Sequence, residues 1–291
     1  MVAPDASAGA DAILIAASAA ADPRDGRLGL LGPGLITGAS DDDPSGIGTY
    51  AAAGAAFGYA LLWLAPLTFP LMAAVQVTCA RIGMVSDLGL AGVLRATYPR
   101  RLLYPAVALL AIANTINAGA DVGAIAAALH LLAPMPAPLF VPPIALGLLV
   151  VQLWGSYRLI ARIFKWLALA LLAYVGAALL AHPNWAAVLR GTVVPTVQWN
   201  ASFLTMVVGI LGTTISPYLF FWQASEEVEE EVDAGRTTIV ARRGATQTEL
   251  RMAAWDIDVG MLWSNVVMYF IILATAATLH GAGQTRIGSA A

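Results

Sequence analysis

Apolar residues run through this chain in long blocks separated by short polar or basic connections, the pattern of membrane-spanning helices rather than of a one-sided soluble helix. Seven such segments follow from it. The first covers residues 28–59 and is interrupted at an acidic cluster at 41–43; the second covers 60–81, with Pro66 and Pro70 inside it. A basic linker leads to a third at 102–132. A proline-rich stretch at 134–143 opens a fourth that ends near Trp154, and 157–181 makes a fifth. After a longer polar connection at 182–200, the sixth runs from about 202 to 224 and the seventh from about 257 to 279. Residues 1–27 are expected to form a mobile tail ahead of a transmembrane domain at 28–291.

The polar residues inside these blocks carry the chemistry. Asp41, Asp42 and Asp43 are consecutive carboxylates within the first apolar run. A charged side chain at mid-membrane costs at least about 3 kcal/mol, so it persists there only with a compensating partner, and the obvious partner is a cation. Pro44 cannot donate a helical hydrogen bond and disfavours helix at the residue before it, while Gly46 tolerates non-helical angles. The helix is therefore expected to open here and to line a cavity with its freed carbonyls. Carbonyls, carboxylates and the Ser45 hydroxyl are hard oxygen ligands, suited to magnesium, manganese or calcium. The competing reading is a water-exposed loop between two short helices. Asn114, Asn117 and Asp121 in the third segment are expected to face the bundle interior.

Composition sharpens this picture. The chain is 59% hydrophobic and 11% charged, with a mean hydropathy of +0.76, outside the range of soluble domains. Its net charge of −3 says little about partners, and no nucleic-acid partner is expected. Cys79 alone excludes an internal disulfide or a cysteine metal cluster and is expected as a small core residue. With the N-terminus placed in the cytoplasm, Arg81, Arg95, Arg100, Arg101, Arg158, Arg162, Lys165, Arg236, Arg242, Arg243 and Arg251 fall inside, as do Arg24 and Arg27. Arg190 and Arg286 fall outside. The positive-inside rule then holds only if the acidic stretch belongs to one crossing rather than two. A multi-pass protein of a prokaryotic inner membrane is expected, with the lipid bilayer as a partner. The run Glu226, Glu227, Glu229, Glu230 and Glu231 is expected as a solvated extension of the sixth helix.

The sixth segment repeats the design of the first, with Gly209, Gly212, Thr213, Thr214 and Ser216 approaching Pro217. Interrupted helices at matching places in two halves point to a transporter site at the midplane. Their spacing is the period of a five-plus-five inverted repeat, with a first repeat at about 28–181 and part of a second at about 201–280. Taken singly, hydroxyls such as those of Thr213, Thr214 and Ser216 more commonly bond their own helix backbone. Beside Pro217 and opposite an Asp cluster they are expected to line the ion site.

Gly32-Pro33-Gly34 followed by Asp43-Pro44-Ser45-Gly46 resembles the first-helix signature of the natural resistance-associated macrophage protein (NRAMP) divalent metal transporters, in which GPG precedes DPGN. Gly212-Thr213-Thr214-Ile215-Ser216-Pro217-Tyr218 is similar to the family's sixth-helix GATVMPH. The resemblance implies an all-α polytopic protein with the LeuT-like inverted-repeat fold, the first and sixth helices interrupted. It places Asp43 on the metal-binding aspartate. The motif's Asn is replaced by Gly46 and its ligating Met by Ser216. Tyr218 stands for a His and Ala124 for a Glu of the third helix. Those departures are similar to the magnesium-transporting branch of the family, which implies transport without proton coupling. The resemblance covers about 29–284, and family members continue for several more helices, so a family-like half site on a truncated frame is expected.

The function expected is alternating-access carriage of a divalent cation, magnesium first and manganese second, with no enzyme activity and no cofactor besides the cargo ion. Asp43 is the principal ligand; Asp42, Ser45, Thr213, Thr214 and Ser216 complete or hydrate the shell, and Gln223 holds a water. Two other classes stay open. One is a non-transporting fragment or assembly subunit, with self-association completing the cavity. The other is an intramembrane aspartyl enzyme pairing Asp43 with Asp121, although no reactive backbone motif surrounds Asp121.

Overall fold

The computed structural model describes residues 33–86, 88–155, 157–233, 235–236, 238 and 244–287. The expected tail at 1–27, Gly32, Arg242 and Arg243 lie outside the described residues. The first apolar segment is two helices, α1 (Pro33–Asp41) and α2 (Pro44–Phe57). Between them Asp43 is extended (φ −72°, ψ 165°) and its carboxylate takes the backbone N–H of Gly46. Asp43 is thus the N-cap of α2 and Pro44 its first residue, where a missing N–H costs nothing. The acidic cluster marks a helix that ends and starts again.

A 3₁₀ turn (Gly58–Leu61) leads to α3 (Leu64–Ser86), α4 (Gly89–Thr97) and the long α5 (Arg100–Leu132). Helices α6 (Val141–Trp154), α7 (Tyr157–Leu180) and α8 (Trp185–Val193) follow. The second break separates α9 (Ala201–Thr214) from α10 (Pro217–Asp233). The last helix, α11 (Gln247–Thr275), ends in a π turn (Ala276–His280). Five stretches among the described residues are long and apolar enough to cross a membrane: Leu64–Ser86, Arg100–Leu132, Ala137–Trp154, Ala201–Val232 and Gln247–His280. With the broken first segment and α7, they reproduce the order of seven.

Two helices were not expected. Sequence 81–101 and 182–200 reads as linkers, yet α4 and α8 form there. Gly89 opens α4 from a left-handed conformation (φ 62°). Asn184 caps α8 by accepting the N–H of Ala187. Docking then selects α8: a Cβ on Gly191 would stand 2.3 Å from the Tyr59 carbonyl oxygen, so the missing side chain is what lets the backbones touch.

Helix α11 is the axis of the packing, with α1, α2, α3 and α7 against it. Its Val267, Met268, Ile271 and Ile272 meet Tyr50 of α2, Leu61 to Leu64 beyond it, and Phe203 and Ile210 of α9 in one buried cluster. Helix α1 runs along α11 in register. The Gly34 N–H donates to Asp256 Oδ2 (2.7 Å) at one end, and Ser264 Oγ donates to Asp41 Oδ2 (2.6 Å) at the other. Between them a Cβ on Gly38 would stand 2.2 Å from the Gly260 carbonyl oxygen. Small residues let helices approach closely where lipid offers no hydrophobic driving force.

The acidic run corrects the expectation of a solvated helix. It extends α10, but Glu226, Glu227 and Glu231 are buried (8%, 2% and 7% exposed) because α10 packs on α3, α4 and α1. Trp222 Nε1 donates to Glu226, and Gln223 Nε2 to Glu227 at 2.9 Å. Cys79 is buried, as expected. Helices α5 and α6 instead turn apolar residues outward, among them Leu109, Ile116, Leu146, Leu153 and Trp154. Such a surface belongs against lipid or other helices.

Candidate metal-binding site

The two breaks meet at Asp43. Its Oδ1 accepts from Ser45 Oγ (2.8 Å) and from the Gly46 N–H (2.6 Å), both in the first turn of α2. Its Oδ2 accepts from Asn117 Nδ2 of α5 (2.9 Å) and from the Tyr218 hydroxyl of α10 (3.1 Å). Four donors from three helices therefore hold one carboxylate. Thr213, at the end of α9, closes the cluster: its Oγ1 lies 3.2 Å from where a Cβ on Gly46 would stand.

Helix α5 adds a second carboxylate. Asp121 Oδ1 accepts the Ser45 N–H (3.0 Å), and Asp121 Oδ2 accepts from Asn117 Nδ2 (3.0 Å). Asn117 and Asp121 are four residues apart and share a helix face. Their place in the bundle interior is expected from the sequence; their place in a metal site beside Asp43 is not. The signal available was that i, i+4 spacing.

Other expected site residues sit elsewhere. Asp41 and Asp42 are buried, which rules out the water-exposed loop. Asp41 is tied to Ser264, whose single hydrogen is thereby used, and neither oxygen of Asp42 accepts a hydrogen bond among the described residues. Ser216 Oγ donates to the carbonyls of Thr213 (2.7 Å) and Gly212 (3.1 Å), capping the end of α9 and leaving its lone pairs open. Gln223 bonds Glu227, one turn further along α10, and has no hydrogen bond to the Asp43 network. Thr214 is not brought to the cluster. Its hydroxyl meets Tyr50 OH (3.1 Å) and Met268 Sδ (3.5 Å) in the buried core.

That placement predicts a clean separation. Thr214→Val removes the partner of a buried Tyr50 hydroxyl, so stability is expected to fall by about 1 kcal/mol. Affinity for a divalent ion is expected to stay unchanged. Thermal unfolding alongside a calorimetric ion titration measures both, and a lost isotherm would return Thr214 to the site.

Among the described residues no group of three or more His, Cys, Asp or Glu is arranged to hold a metal ion. An ion at Asp43 must therefore draw on hydroxyl, amide, carbonyl or water oxygens as well as carboxylate, the donor set of a hard cation.

Residues 34–291 match the family model described as natural resistance-associated macrophage protein-like. The chain belongs to the NRAMP family. Among its relatives are two proteins named divalent metal cation transporter MntH. The one from Brucella suis biovar 1 is 28% identical over 264 residues, which is 89% of this chain and 56% of that protein. The one from Xanthomonas campestris pv. campestris is 30% identical over 267 residues, 89% of this chain and 58% of that protein. A crystal structure of the Eremococcus coleocola manganese transporter, in complex with an aromatic bis-isothiourea substituted compound, superposes with a TM-score of 0.70 at 27% identity. The match covers 88% of this chain and 53% of that one. The chain thus has the helical fold of NRAMP proteins and is an integral multi-pass membrane protein. It spans a little over half the length of the relatives it matches.

Proposed function

We propose that this chain carries the ion-binding half of an alternating-access transporter for divalent cations. The observation that carries the proposal is the convergence of both helix breaks on Asp43, in a protein of the NRAMP family. Asp43 is the central ligand. Ser45, Thr213 and Ser216 lie at the ends of the broken helices that frame it. Asp42, with two buried oxygens that accept no hydrogen bond among the described residues, can hold water or the ion.

The donor set favours magnesium first and manganese second. Ser216 stands where the family motif has a thioether, and no soft ligand replaces it in the Asp43 cluster. The relatives named above are manganese or divalent metal transporters, so manganese is the first competitor to test. Proton coupling is not part of the proposal. Tyr218 uses its hydroxyl to hold Asp43, and Ala124 lacks the carboxyl of the Glu that the family motif has at that position. The basic connections support a cytoplasmic N-terminus, and the bacterial relatives support a prokaryotic plasma membrane. The relatives are metal transporters rather than enzymes, and the carboxamide of Asn117 stands between Asp43 and Asp121, where an aspartyl enzyme needs its two acids to share a proton.

The test is ion uptake into proteoliposomes with magnesium and manganese dyes inside, together with a pH dye. The proposal expects divalent uptake without acidification of the lumen. No uptake and no calorimetric binding of either ion would sink it.

A further inference from the structure

The amide of Asn117 occupies a position that a cation would suit. Its NH₂ group lies 2.9 Å from Asp43 Oδ2 and 3.0 Å from Asp121 Oδ2, one hydrogen directed at each carboxylate. The nitrogen faces them because only an N–H can donate to both. Its oxygen faces the other way and lies 2.8 Å from Ser45 Oγ. Ser45 Oγ is also 2.8 Å from Asp43 Oδ1 and has a single hydrogen to give. Around Ser45 the network can therefore reverse without losing a partner, while Asp43 Oδ2 and Asp121 Oδ2 give up the amide donor. If the carboxamide turns over, Asn117 Nδ2 donates to Ser45 Oγ and Ser45 donates to Asp43 Oδ1. The amide oxygen then lies between two carboxylate oxygens.

An amide oxygen about 3 Å from each of two carboxylate oxygens is repelled by both unless a cation joins them. Neighbouring ligands of an octahedral magnesium at about 2.0–2.1 Å are themselves about 2.9 Å apart, which matches these spacings. The position where the family motif carries an amide is glycine and tight here: a Cβ at Gly46 would meet Asp43 Oδ1 at 3.1 Å and Thr213 Oγ1 at 3.2 Å. An amide in this site comes from α5.

We propose that Asn117 is a specificity-determining ligand whose carboxamide turns over when the ion arrives, so that its oxygen joins Asp43 and Asp121 around the cation. In the ion-free chain its NH₂ holds the two carboxylates in place of the ion. This rests on the reading of Asp43 as the principal ligand. It adds a helix to the site: α5 is bonded to α2 through a donor before the ion binds and through the ion afterwards, which links occupancy to the packing of α5 against the broken helix.

The test is a calorimetric titration of the purified full chain with magnesium and with manganese, in the parent, Asn117→Leu and Asn117→Asp, each checked for a single gel-filtration peak. Asn117→Leu removes donor and oxygen and is expected to weaken magnesium at least about tenfold while leaving residual binding that Asp43→Asn abolishes. Asn117→Asp loses the donor but keeps an oxygen and adds charge, so it is expected to bind at least as tightly as the parent. Should Asn117→Leu fail to fold, Asn117→Asp decides alone. Parent-like affinity in Asn117→Leu would overturn the inference and leave the Asp43 reading standing. Weakened binding in Asn117→Asp would assign Asn117 a donor role only and also overturn it. Absence of binding in the parent would overturn both.

Discussion

Asp43→Asn is expected to abolish divalent-ion binding while leaving the helices in place. The carboxylate in this structure takes four hydrogen bonds from Ser45, Gly46, Asn117 and Tyr218. An amide of the same shape replaces one oxygen by an NH₂ group, which must face at least one of those donors, and it removes the charge that attracts the ion. Loss of an outer partner of a metal ligand already costs about 10–100-fold in affinity, so loss of the charged ligand is expected to cost on the order of a hundredfold or more. Asn is as good an N-cap as Asp, so α2 still starts at Pro44. Calorimetric titration separates the two effects, because the ion-free melting temperature reports the fold. An isotherm within a few-fold of the parent would remove Asp43 from the centre of the site.

The second large effect is on stability and needs no ion. Gly38→Leu is expected to drive α1 away from α11. A Cβ at 38 would stand 2.2 Å from the Gly260 carbonyl oxygen and 2.4 Å from its carbonyl carbon, backbone atoms that cannot swing aside. The reciprocal contact is as close, a Cβ on Gly260 falling 2.1 Å from the Gly34 carbonyl oxygen. Separation of the helices also strains the Gly34–Asp256 and Asp41–Ser264 bonds at either end of the same interface. Overpacking costs typically about 1–3 kcal/mol and more where the obstacle is backbone, so a loss of about 3 kcal/mol or more is expected. In a chain of this size that is a fall of roughly 6–12 °C. Gly119→Leu on α5, where nothing lies within 4 Å, is the control and should melt with the parent. Equal melting of the Gly38 variant would show that the two helices are not held at this distance.

The centre of the site was legible because one residue type does two jobs there. Asp43 before Pro44 is both a charge in an apolar run and an N-cap before a first-turn proline, and each reading comes from local sequence. The partners of α1 along α11 were not legible. Asp256, Gly260 and Ser264 recur every fourth residue along α11, but the apolar run of the seventh segment begins at about 257 and leaves Asp256 outside it. The hydroxyls of the sixth segment divided in a way composition cannot express. Thr213 faces the cluster and Thr214 faces Tyr50 because successive helix positions point about 100° apart, while Ser216, in the break, serves the carbonyls behind it. The acidic run misled for a related reason: charge density alone says solvent, while Glu226, Glu227 and Glu231 lie on the face of α10 that packs on α3 and α4.

The sequence by itself determined that the chain is a multi-pass membrane protein with seven apolar segments, that the first and sixth are broken by proline, and that Asp43 sits at the first break. Hydrophobic run length, the missing proline N–H and the charge of a carboxylate are properties of residues and their immediate neighbours, so they can be read in order along the chain. Only the tertiary structure decided which polar groups meet. Asn117, Asp121 and Tyr218 are brought to Asp43 from 74, 78 and 175 residues away, and those meetings are set by how closely α1, α5, α10 and α11 pack. Interhelical distance depends on the absence of side chains at Gly34, Gly38, Gly83 and Gly260, and on which backbone each of those gaps receives. A glycine shows in the sequence; the helix that fills the space it leaves does not.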